Sequence, residues 1–416
     1  MSTLADIVRQ YGPAYRAQFG DQLLPSQQAA LQAIEQCRTE ALGGHVYGCS
    51  ACGARRYCYH SCRNRHCPAC QHDATQTWLA HQQGLLLPVP YFLVTFTLPS
   101  ELRAVAYRHQ RILYNLLFRA SAAALMELAR DPRFLGAQIG LLGVLQTWTR
   151  DLRYHPHVHY LVPGGGLAED GHTWVTAKAD FLVHVKPLAV LFRAKLRSAL
   201  RQTALWAEIP AAAWQQPWVV DCRPVGTAQA ALKYLAPYIF RVALSNNRIV
   251  RVADDQVTFR YTVSESGQTA YCSLPAQEFL HRFLQHILPK GFVKVRYYGL
   301  FRVGNRRSLA RLRSQLRLLL HLAEQAMPAP IATDRGTAPV VICPNCGQPM
   351  RLEGVLLPHN RGPPGEARSG RSVARSRAAR RSCPGTGLLA CALKQRCEPY
   401  TELRRAMLTV GGYENE

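Results

Sequence analysis

The sequence is poor in acidic residues and contains no long apolar run. It has 26 Asp and Glu residues against 50 Lys and Arg, which gives a formal net charge of +24. No stretch approaches the roughly 18 uninterrupted apolar residues of a membrane-spanning helix, and the N-terminal residues lack the apolar middle region of a signal peptide. We therefore expect no membrane partner and a cytoplasmic protein. The excess of positive charge favours a polyanionic partner, most simply nucleic acid, although a merely basic protein stays open on composition alone.

Cysteine, by contrast, is abundant and clustered. Seven of the 14 cysteines lie between Cys37 and Cys70. In a reducing compartment such a cluster indicates metal sites rather than disulfides. Two knuckles, Cys49-x-x-Cys52 and Cys67-x-x-Cys70, can supply four thiolates to one tetrahedral zinc ion. The remaining candidates of this segment predict a second, interleaved zinc site: Cys37, His45, Cys62 and His66.

The composition divides the chain into three predicted parts. Residues 1–85 form an N-terminal zinc-binding domain, and residues 86–326 form one mixed domain of helices and strands. Residues 327–416 contain a linker, then a small zinc-ribbon-like knuckle in which Cys343 and Cys346 are a possible further zinc site. A basic tail follows, which we expect to be disordered unless it binds a partner.

Hydrophobic patterns predict the elements of the middle part. Strands are expected at 90–98, 140–148, 157–162, 218–225 and 291–300. A hairpin is expected at 249–262, with Asp254 and Asp255 at its turn. Helices are expected at 100–130, 185–205, 227–244, 276–289 and from residue 306 to about residue 327.

Three histidines alternate within RYHPHVHYLVPGGG (153–166). On a strand, His155, His157 and His159 would lie on one face. Two neutral imidazoles about 7 Å apart along a strand can bind one metal ion. Gln146 is the best candidate for a third ligand, because it lies on a predicted strand that could pair antiparallel with the histidine strand. The three glycines would then form the turn that ends the strand.

Two other interpretations of this motif stay open. The histidine-triad nucleotide hydrolases also alternate histidines, and their middle histidine attacks an α-phosphate. Those proteins are small domains, and Pro156 would interrupt the alternation that they require. The simplest alternative is a half-buried strand that happens to carry histidines.

Tyr234 and Tyr238 in LKYLAPYIFR are four residues apart and would share one face of a helix. Core packing is the usual explanation of such a pair. Next to a divalent cation and basic neighbours such as Lys233 and Arg241, however, a phenol becomes a competent nucleophile for a phosphodiester. Pro237 should kink this segment.

Six phrases, taken in order, resemble the rolling-circle transposases of the insertion sequence 91 family. That family is part of the superfamily of His-hydrophobic-His endonucleases with tyrosine nucleophiles. The phrases are CRTEALGGH, SCRNRHCPACQ, LQTWTRDLRYHPHVHYLVPGGGL, LKYLAPYIFRVALSN, FLQHILPKGFVKVRYYGLF and CPNCG. One phrase would be a weak signal, whereas six in sequence are highly specific. The resemblance covers most of the chain and ends near Leu357.

The resemblance implies an α+β fold, with a central antiparallel sheet flanked by helices and an N-terminal zinc-binding domain. It implies that His157 and His159 bind a catalytic divalent ion, Mg²⁺ or Mn²⁺, with Gln146 as the third ligand. It also implies that Tyr234 and Tyr238 are paired nucleophiles. Such enzymes nick and rejoin one DNA strand through a 5′-phosphotyrosine and a free 3′-hydroxyl, and the zinc ions are structural.

The implied partner is DNA, chiefly single-stranded element ends and target. The expected location is the bacterial cytoplasm, in association with the nucleoid. The candidate DNA contacts are Arg63, Arg65, Lys233 and Arg241. The alternative function is a non-catalytic zinc-finger DNA-binding protein, an inactive transposase remnant. Such a protein would need neither the histidine pair nor the tyrosines.

Overall fold

The computed structural model describes residues 2–70, 78, 82–232, 243–263, 266–320 and 340–358. The described helices are α1 (Leu4–Phe19), α2 (Pro25–Glu35), α3 (Arg103–Arg108), α4 (Gln110–Arg130), α5 (Val185–Arg201), α6 (Ala276–Gln285) and α7 (Arg306–Leu319). The strands before α5 are β1 (Gly44–Gly48), β2 (Arg55–Tyr59), β3 (Tyr91–Thr97), β4 (Gly140–Trp148), β5 (Tyr154–Pro163), β6 (Gly165–Leu167) and β7 (Trp174–Thr176). The later strands are β8 (Val220–Gly226), β9 (Ile249–Ala253), β10 (Gln256–Thr262), β11 (Thr269–Pro275), β12 (Val295–Gly299) and β13 (Arg351–Leu356).

A five-stranded sheet forms the centre of the middle part of the chain. Its strand order is β12-β4-β5-β3-β8, and every neighbouring pair is antiparallel. The histidine strand β5 is therefore the central strand. Gln146 of β4 lies directly opposite His157 of β5, so the predicted antiparallel pairing of these two strands is confirmed.

One face of this sheet is covered by two helices. Tyr160 of β5 is fully buried, and its hydroxyl lies 2.8 Å from Ser121 Oγ of α4. Phe96 of β3 packs on Phe192 of α5, with ring centroids 5.0 Å apart. By length and composition α4 could cross a membrane, but 67% of its apolar 18-residue stretch is buried inside the fold. It is packed as a core helix on the sheet.

The opposite face carries the odd-numbered residues of β5, which include His157 and His159. The apolar part of this face is a core that contains Leu93, Leu142, Val144 and Leu161 from three strands. Side chains from outside the sheet complete this core: Leu86, Leu87, Ala231, Leu232, Leu309, Leu312 and Leu316. Ala231 and Leu232 therefore pack on the same face of the sheet as the histidines.

A second core joins the N-terminal helices to residues from far along the chain. Apolar residues of α1 and α2 pack with those of α6 and of the antiparallel sheet β9–β10–β11, and with Cys37 and Cys67. Gln27 donates a hydrogen bond to the carbonyl of Leu284 at 2.9 Å, and the N–H of Leu4 donates to Asn246 Oδ1 at 3.0 Å. The packing thus crosses the boundary at residue 85 that composition suggested.

A third, small sheet has the order β13-β1-β2. Strand β13 pairs antiparallel with β1, from Gly44 opposite Leu356 to Gly48 opposite Arg351. The expectation of a separate knuckle after the linker is therefore corrected, because β13 after the knuckle is hydrogen-bonded to β1. We call β1, β2, β13 and their cysteine knuckles the ribbon. Backbone pairing across about 300 residues leaves no signal in local sequence patterns.

Glycines 164–166 do not form the predicted turn. The chain continues into β6, and none of the three glycines has a positive φ. A Cβ on Gly165 would lie 2.5 Å from the Trp174 ring, and one on Gly166 would lie 2.5 Å from the carbonyl oxygen of Gln138. Glycine is therefore required here for close approach of neighbouring chain rather than for turn geometry.

Candidate functional site

The first candidate metal centre is a group of four cysteines near the N-terminus: Cys37, Cys62, Cys67 and Cys70. Cys37 follows α2, and Cys70 ends the short turn Pro68–Cys70. The sulfurs of Cys37 and Cys70 are 3.5 Å apart, and those of Cys62 and Cys70 are 3.6 Å apart. Zinc–sulfur bonds of about 2.3 Å in a tetrahedron separate neighbouring sulfurs by about 3.8 Å. The group therefore has the dimensions and the donor atoms of a four-thiolate zinc site.

Hydrogen bonding within this group already favours one thiolate. The pKa of Cys62 is lowered to about 5, chiefly because the Cys67 thiol donates to its sulfur, and the backbone N–H of Asn64 adds to this effect. The same hydrogen bond raises the pKa of Cys67, and burial raises the pKa of Cys37 to about 11. A cation placed among the four sulfurs would favour the thiolate form of all of them.

The second candidate metal centre is assembled from both ends of the chain: Cys49, Cys52, Cys343 and Cys346. Cys49 Sγ lies 3.4 Å from Cys346 Sγ, and Cys52 Sγ lies 3.6 Å from Cys343 Sγ. Backbone N–H groups of Cys346 and Asn345 lower the pKa of Cys343 to about 6. These are again the distances and donors of a four-thiolate zinc site.

The two knuckles of this centre have the same backbone construction. Each is a Cys-x-x-Cys-Gly turn in which the glycine N–H donates at 2.9 Å to the carbonyl of the first cysteine. Gly53 has φ +69° and Gly347 has φ +71°, a left-handed conformation that favours glycine. The third pair, Cys67-x-x-Cys70, is followed by Gln71. This shared glycine is the sequence signal that could have matched Cys49 and Cys52 with Cys343 and Cys346.

The predicted ligand sets are corrected by these positions. Cys49 and Cys52 do not share a group with Cys67 and Cys70, and neither His45 nor His66 is a member of either group. His66 Nε2 faces the backbone N–H of Leu288 at 3.3 Å, so its ring nitrogen already has a donor. The ring of His45 packs edge-on against His60, with centroids 5.0 Å apart.

The candidate DNA contacts differ in their surroundings. The guanidinium of Arg65 donates to the carbonyls of Phe292 at 2.6 Å and Pro289 at 3.0 Å. These bonds connect the segment of the first cysteine group to the loop that contains Pro289 and Phe292. Arg63 is exposed and has a positive φ of 51°. Lys233 and Arg241 lie outside the described residues, as do Tyr234, Pro237 and Tyr238.

The histidine pair lies on the central strand β5. His157 and His159 are each 8% exposed, and their ring centroids are 4.7 Å apart. His157 Nδ1 lies 2.6 Å from the carbonyl oxygen of His155, so Nδ1 carries the proton and Nε2 keeps its lone pair. His159 Nδ1 lies 2.9 Å from Thr95 Oγ1 on β3. Each ring thus has a partner at Nδ1 that fixes its orientation, as metal-ligating histidines usually have.

Burial keeps these rings neutral. It lowers the pKa of His157 to about 4 and that of His159 well below its ordinary value. The pKa of His155 is also lowered to about 4 by burial and by the positive charge of Arg103, whose guanidinium lies 2.8 Å from its Nδ1. Neutral imidazole is the form that binds a metal ion, so the pair is available as a ligand at neutral pH.

Gln146 completes a polar trio with the histidine pair. Its side chain is 8% exposed, and its Nε2 donates to the carbonyl of Trp148 at 3.2 Å. Its buried Oε1 has no hydrogen-bond partner among the described residues. An unpaired buried amide oxygen directly opposite His157 is an acceptor that a cation would satisfy. The trio thus brings two imidazoles and one amide oxygen to neighbouring positions on one face of the sheet.

Comparison with known proteins identifies the family. Residues 7–98 match the family described as "Transposase zinc-binding domain", and residues 140–308 match the family described as "Putative transposase". The chain is 42% identical over 350 residues to "Putative transposase y4qJ" of Sinorhizobium fredii, which covers 79% of this chain and 86% of that protein. The chain belongs to the insertion sequence 91 family of transposases.

A further relative of this transposase supports the same assignment. It is the "Transposase for insertion sequence element IS801" of Pseudomonas savastanoi pv. phaseolicola, which is 29% identical over 281 residues. That match covers 63% of this chain and 67% of that protein. No solved structure matches the chain. Family membership makes the protein a transposase that acts on DNA and that carries a structural zinc-binding domain.

Proposed function

We propose that this transposase nicks and rejoins single-stranded DNA at the ends of its element, with a tyrosine as the nucleophile and a divalent metal ion at the histidine trio. The central sheet would then be the His-hydrophobic-His endonuclease fold. The observation that supports this proposal best is the buried polar trio of His157, His159 and Gln146, with neutral rings and an unpaired amide oxygen. A protein that only binds DNA has no need of such a trio.

The position of the preceding segment supports the assignment of the nucleophile. Ala231 and Leu232 are buried against the face of the sheet that carries the histidines. Tyr234 is only two residues further along the chain, and Tyr238 is four residues beyond it. We therefore assign Tyr234 as the first nucleophile and Tyr238 as the second. Because Pro237 should kink the segment between the two tyrosines, the role of Tyr238 needs a test of its own.

In the proposed reaction, the phenolic oxygen of Tyr234 gives its proton to solvent and attacks the scissile phosphorus. The bond from phosphorus to the 3′-oxygen breaks, and that oxygen takes a proton from solvent. The products are a 5′-phosphotyrosine and a free 3′-hydroxyl, and the reverse reaction rejoins a strand without ATP. Mg²⁺ or Mn²⁺, when bound, would polarise the phosphate and balance its growing charge. His157, His159 and Gln146 would hold that ion, with Thr95 positioning the ring of His159.

The two cysteine groups have a separate role in this proposal. We assign one structural zinc ion to each group, because each supplies four sulfurs at tetrahedral spacing. Sites closed by four thiolates leave no open position for substrate, so they stabilise the fold and take no part in the chemistry.

A covalent-adduct assay tests the nucleophile. The purified protein is incubated with single-stranded oligonucleotides that span both element ends, with Mg²⁺ or Mn²⁺, and is analysed on a denaturing gel. Tyr234→Phe should abolish the adduct and leave DNA binding and zinc content intact. Tyr238→Phe should permit a first cut but block complete strand transfer. Tyr271→Phe, at an exposed tyrosine on β11, is the matched control and should react normally.

The same assay tests the histidine trio. His157→Ala with His159→Ala should abolish cleavage while the zinc content stays unchanged, and His172→Ala on the surface should have no effect. An adduct that persists in the Tyr234→Phe, Tyr238→Phe double variant would show that the nucleophile is misassigned. If the wild-type protein binds element ends but never forms an adduct, the non-catalytic alternative replaces this proposal.

A further inference from the structure

One face of the small sheet β13-β1-β2 carries three glycines. Directly opposed residues of antiparallel strands share a face. Tyr59, Tyr57 and Arg55 of the edge strand β2 are therefore on the same face as Gly44, Val46 and Gly48 of β1, their partners in the register. On β13, Gly354 lies opposite Val46 on this face, and a Cβ placed there would meet no atom within 4 Å. We call this surface the tyrosine face.

Two aromatic rings on the tyrosine face lie outside the apolar cores described above. Tyr57 is 52% exposed, and neither Tyr57 nor Tyr59 belongs to the apolar cores described above. Tyr47, on the other face of the same sheet, does pack against the core of Cys49, Cys343 and Met350. Tyr57 is exposed and Tyr59 is half-buried, and a ligand that covers this edge strand would explain two aromatic rings outside the described cores.

The rings are arranged as a pair. Their centroids are 6.2 Å apart, and the angle between their planes is 18°. Two nearly parallel rings on one strand offer aromatic faces on which unpaired bases can stack.

The charges on the tyrosine face suit a polyanion. Arg55 and Arg351 lie on either side of Gly48 in the register, and both are exposed. The Glu353 side chain lies over Gly48 and pairs with Arg55 at 3.1 Å, so two positive charges and one negative charge lie together here. The Arg55 side chain is 67% exposed, and solvent weakens its pair with Glu353. A chain with a net charge of +24 that acts on DNA thus presents aromatic rings and guanidinium groups together on one open face.

We propose that the tyrosine face binds single-stranded DNA by stacking unpaired bases on Tyr57 and Tyr59, with Arg55 and Arg351 contacting phosphates. The inference deepens the proposed function, since it names a surface that holds the strand to be cut. Single strands are favoured because their bases expose both faces, whereas the bases of a duplex are already stacked and paired. Stacking on aromatic side chains tolerates any base, so the site would position the strand without reading its sequence.

Binding measured by fluorescence anisotropy tests the proposal on the full-length, zinc-loaded protein. Tyr57→Ala with Tyr59→Ala should raise the Kd for a labelled single-stranded oligonucleotide at least about tenfold, in line with the usual contribution of base stacking. The Kd for a blunt duplex of the same length should change by less than about twofold. Tyr57→Phe with Tyr59→Phe keeps both rings and should bind within about threefold of wild type.

Two further variants keep this test decisive. If the alanine substitutions disturb the ribbon, Tyr57→Val with Tyr59→Val replaces them in the test. Valine removes the rings but favours a strand, so this variant should keep the wild-type zinc content. Tyr271→Ala removes an equally exposed tyrosine from the sheet β9–β10–β11 and should leave both Kd values unchanged. An unchanged single-strand Kd in a zinc-loaded valine variant would overturn the proposal. So would an equal loss for single strands and duplex.

Photocrosslinking gives a readout that needs no variant. A single-stranded oligonucleotide with 5-iododeoxyuridine, irradiated with the wild-type protein, should crosslink to the peptide that contains Tyr57 and Tyr59. Crosslinks found only on other peptides would contradict the site. The proposed chemistry is tested separately, because the valine variant at saturating DNA should still form the covalent adduct. Tyr234→Phe should bind DNA normally and form none.

Discussion

The ribbon cysteines and the histidine pair are two candidate metal sites that the chain builds in opposite ways. His157 and His159 are two residues apart on one strand, and their orientation follows from the alternation of that strand. Cys49 and Cys346 are 297 residues apart in sequence, yet their sulfurs are 3.4 Å apart. The first site can be inferred from a strand of ten residues. The second exists only once both ends of the chain have folded together.

Because of this difference, substitution of metal ligands should affect the fold differently at the two sites. Loss of one histidine leaves strand β5 intact, because its backbone is hydrogen-bonded to β3 and β4 on both sides. Loss of one knuckle of the ribbon removes half the ligands of a centre that joins β1 and β2 to the segment before β13. The ribbon has only a small core, built around Cys49, Cys343 and Met350. A core this small needs its metal ion for stability.

The largest expected effect is therefore on the ribbon. Cys343→Ser with Cys346→Ser should reduce the zinc content from two ions to one, as measured by native mass spectrometry of the full chain. Four-thiolate zinc sites contribute about 10 kcal/mol or more at neutral pH, so the segment 340–358 should become sensitive to limited proteolysis. Removal of residues 340–416 should have the same effect on zinc content.

Matched substitutions sharpen this test. Cys58 belongs to neither cysteine group, so Cys58→Ser should retain both ions. His45→Ala and His66→Ala should also retain both ions. Two ions bound to the Cys343→Ser, Cys346→Ser variant would show that the N-terminal segment holds its zinc alone, as the ligand sets inferred from sequence imply.

The elements that the sequence predicts best are those with short-range causes. Strand β4 has the predicted bounds of 140–148, and the hairpin turn lies at Asp254 and Asp255, both with φ +54°. Alternation places His157 and His159 on one face, and Pro156 does not interrupt β5. The predicted helix at 100–130 is interrupted at His109, which has φ −119° and ψ 43° between α3 and α4. Each correct prediction rests on a periodicity within about a dozen residues.

The features that the sequence did not reveal depend on distant contacts. Strand β11 and its pairing with β10 were not predicted. Residues 269–275 alternate only in part between buried and exposed positions, so the pattern of a half-buried strand is weak here. The partition of the cysteines was predicted wrongly because proximity in sequence was taken as proximity in space. Thr95 and Arg103, which contact His159 and His155, carry no local pattern that marks them. Cross-strand register decides these contacts, and local patterns do not specify it.

A second, smaller effect concerns the connection between the first cysteine group and the body of the protein. Arg65→Ala removes the guanidinium bonds to the carbonyls of Pro289 and Phe292 and should lower the free energy of unfolding by about 2 kcal/mol. Arg65→Lys should recover little, because an ammonium group cannot reproduce two directed bonds from one planar group. Urea denaturation followed by circular dichroism measures both variants.

Arg63→Ala is the matched control for this prediction. Both arginines are exposed, but the Arg63 side chain has no hydrogen bond within the described residues, so its loss should change stability by less than about 0.5 kcal/mol. If Arg63 contacts a phosphate, its loss should instead weaken DNA binding and reduce the salt dependence of that binding. Equal stability changes at the two arginines would show that the Arg65 contacts contribute nothing to the connection.

The smallest expected effect lies beside the histidine strand, at His286. Its Nε2 lies 3.2 Å from the carbonyl oxygen of Leu152, and its Nδ1 lies 3.3 Å from Thr147 Oγ1, which fits a neutral ring. The rings of Trp148 and Tyr154 pack against it, and burial lowers its pKa to about 4. The folded state thus excludes a proton that the unfolded state binds between about pH 6.5 and pH 4. Stability should therefore fall as pH falls through this window, by at most about 1.4 kcal/mol per pH unit for this group.

His286→Gln keeps a donor and an acceptor but cannot titrate. The slope of unfolding free energy against pH should therefore decrease by up to about 1.4 kcal/mol per pH unit, which corresponds to one proton. Urea midpoints from pH 7 to pH 5.5, with zinc in excess so that the cysteine groups stay loaded, measure this slope. Four other histidines also have lowered pKa values, and their contributions have the same sign in both proteins and cancel in the difference: His66, His155, His157 and His159. His172→Gln on the surface should leave the slope unchanged. Parallel slopes for wild type and His286→Gln would mean that the buried ring accepts its proton without loss of the fold, and that the hairpin of β4 and β5 tolerates a charge beneath it.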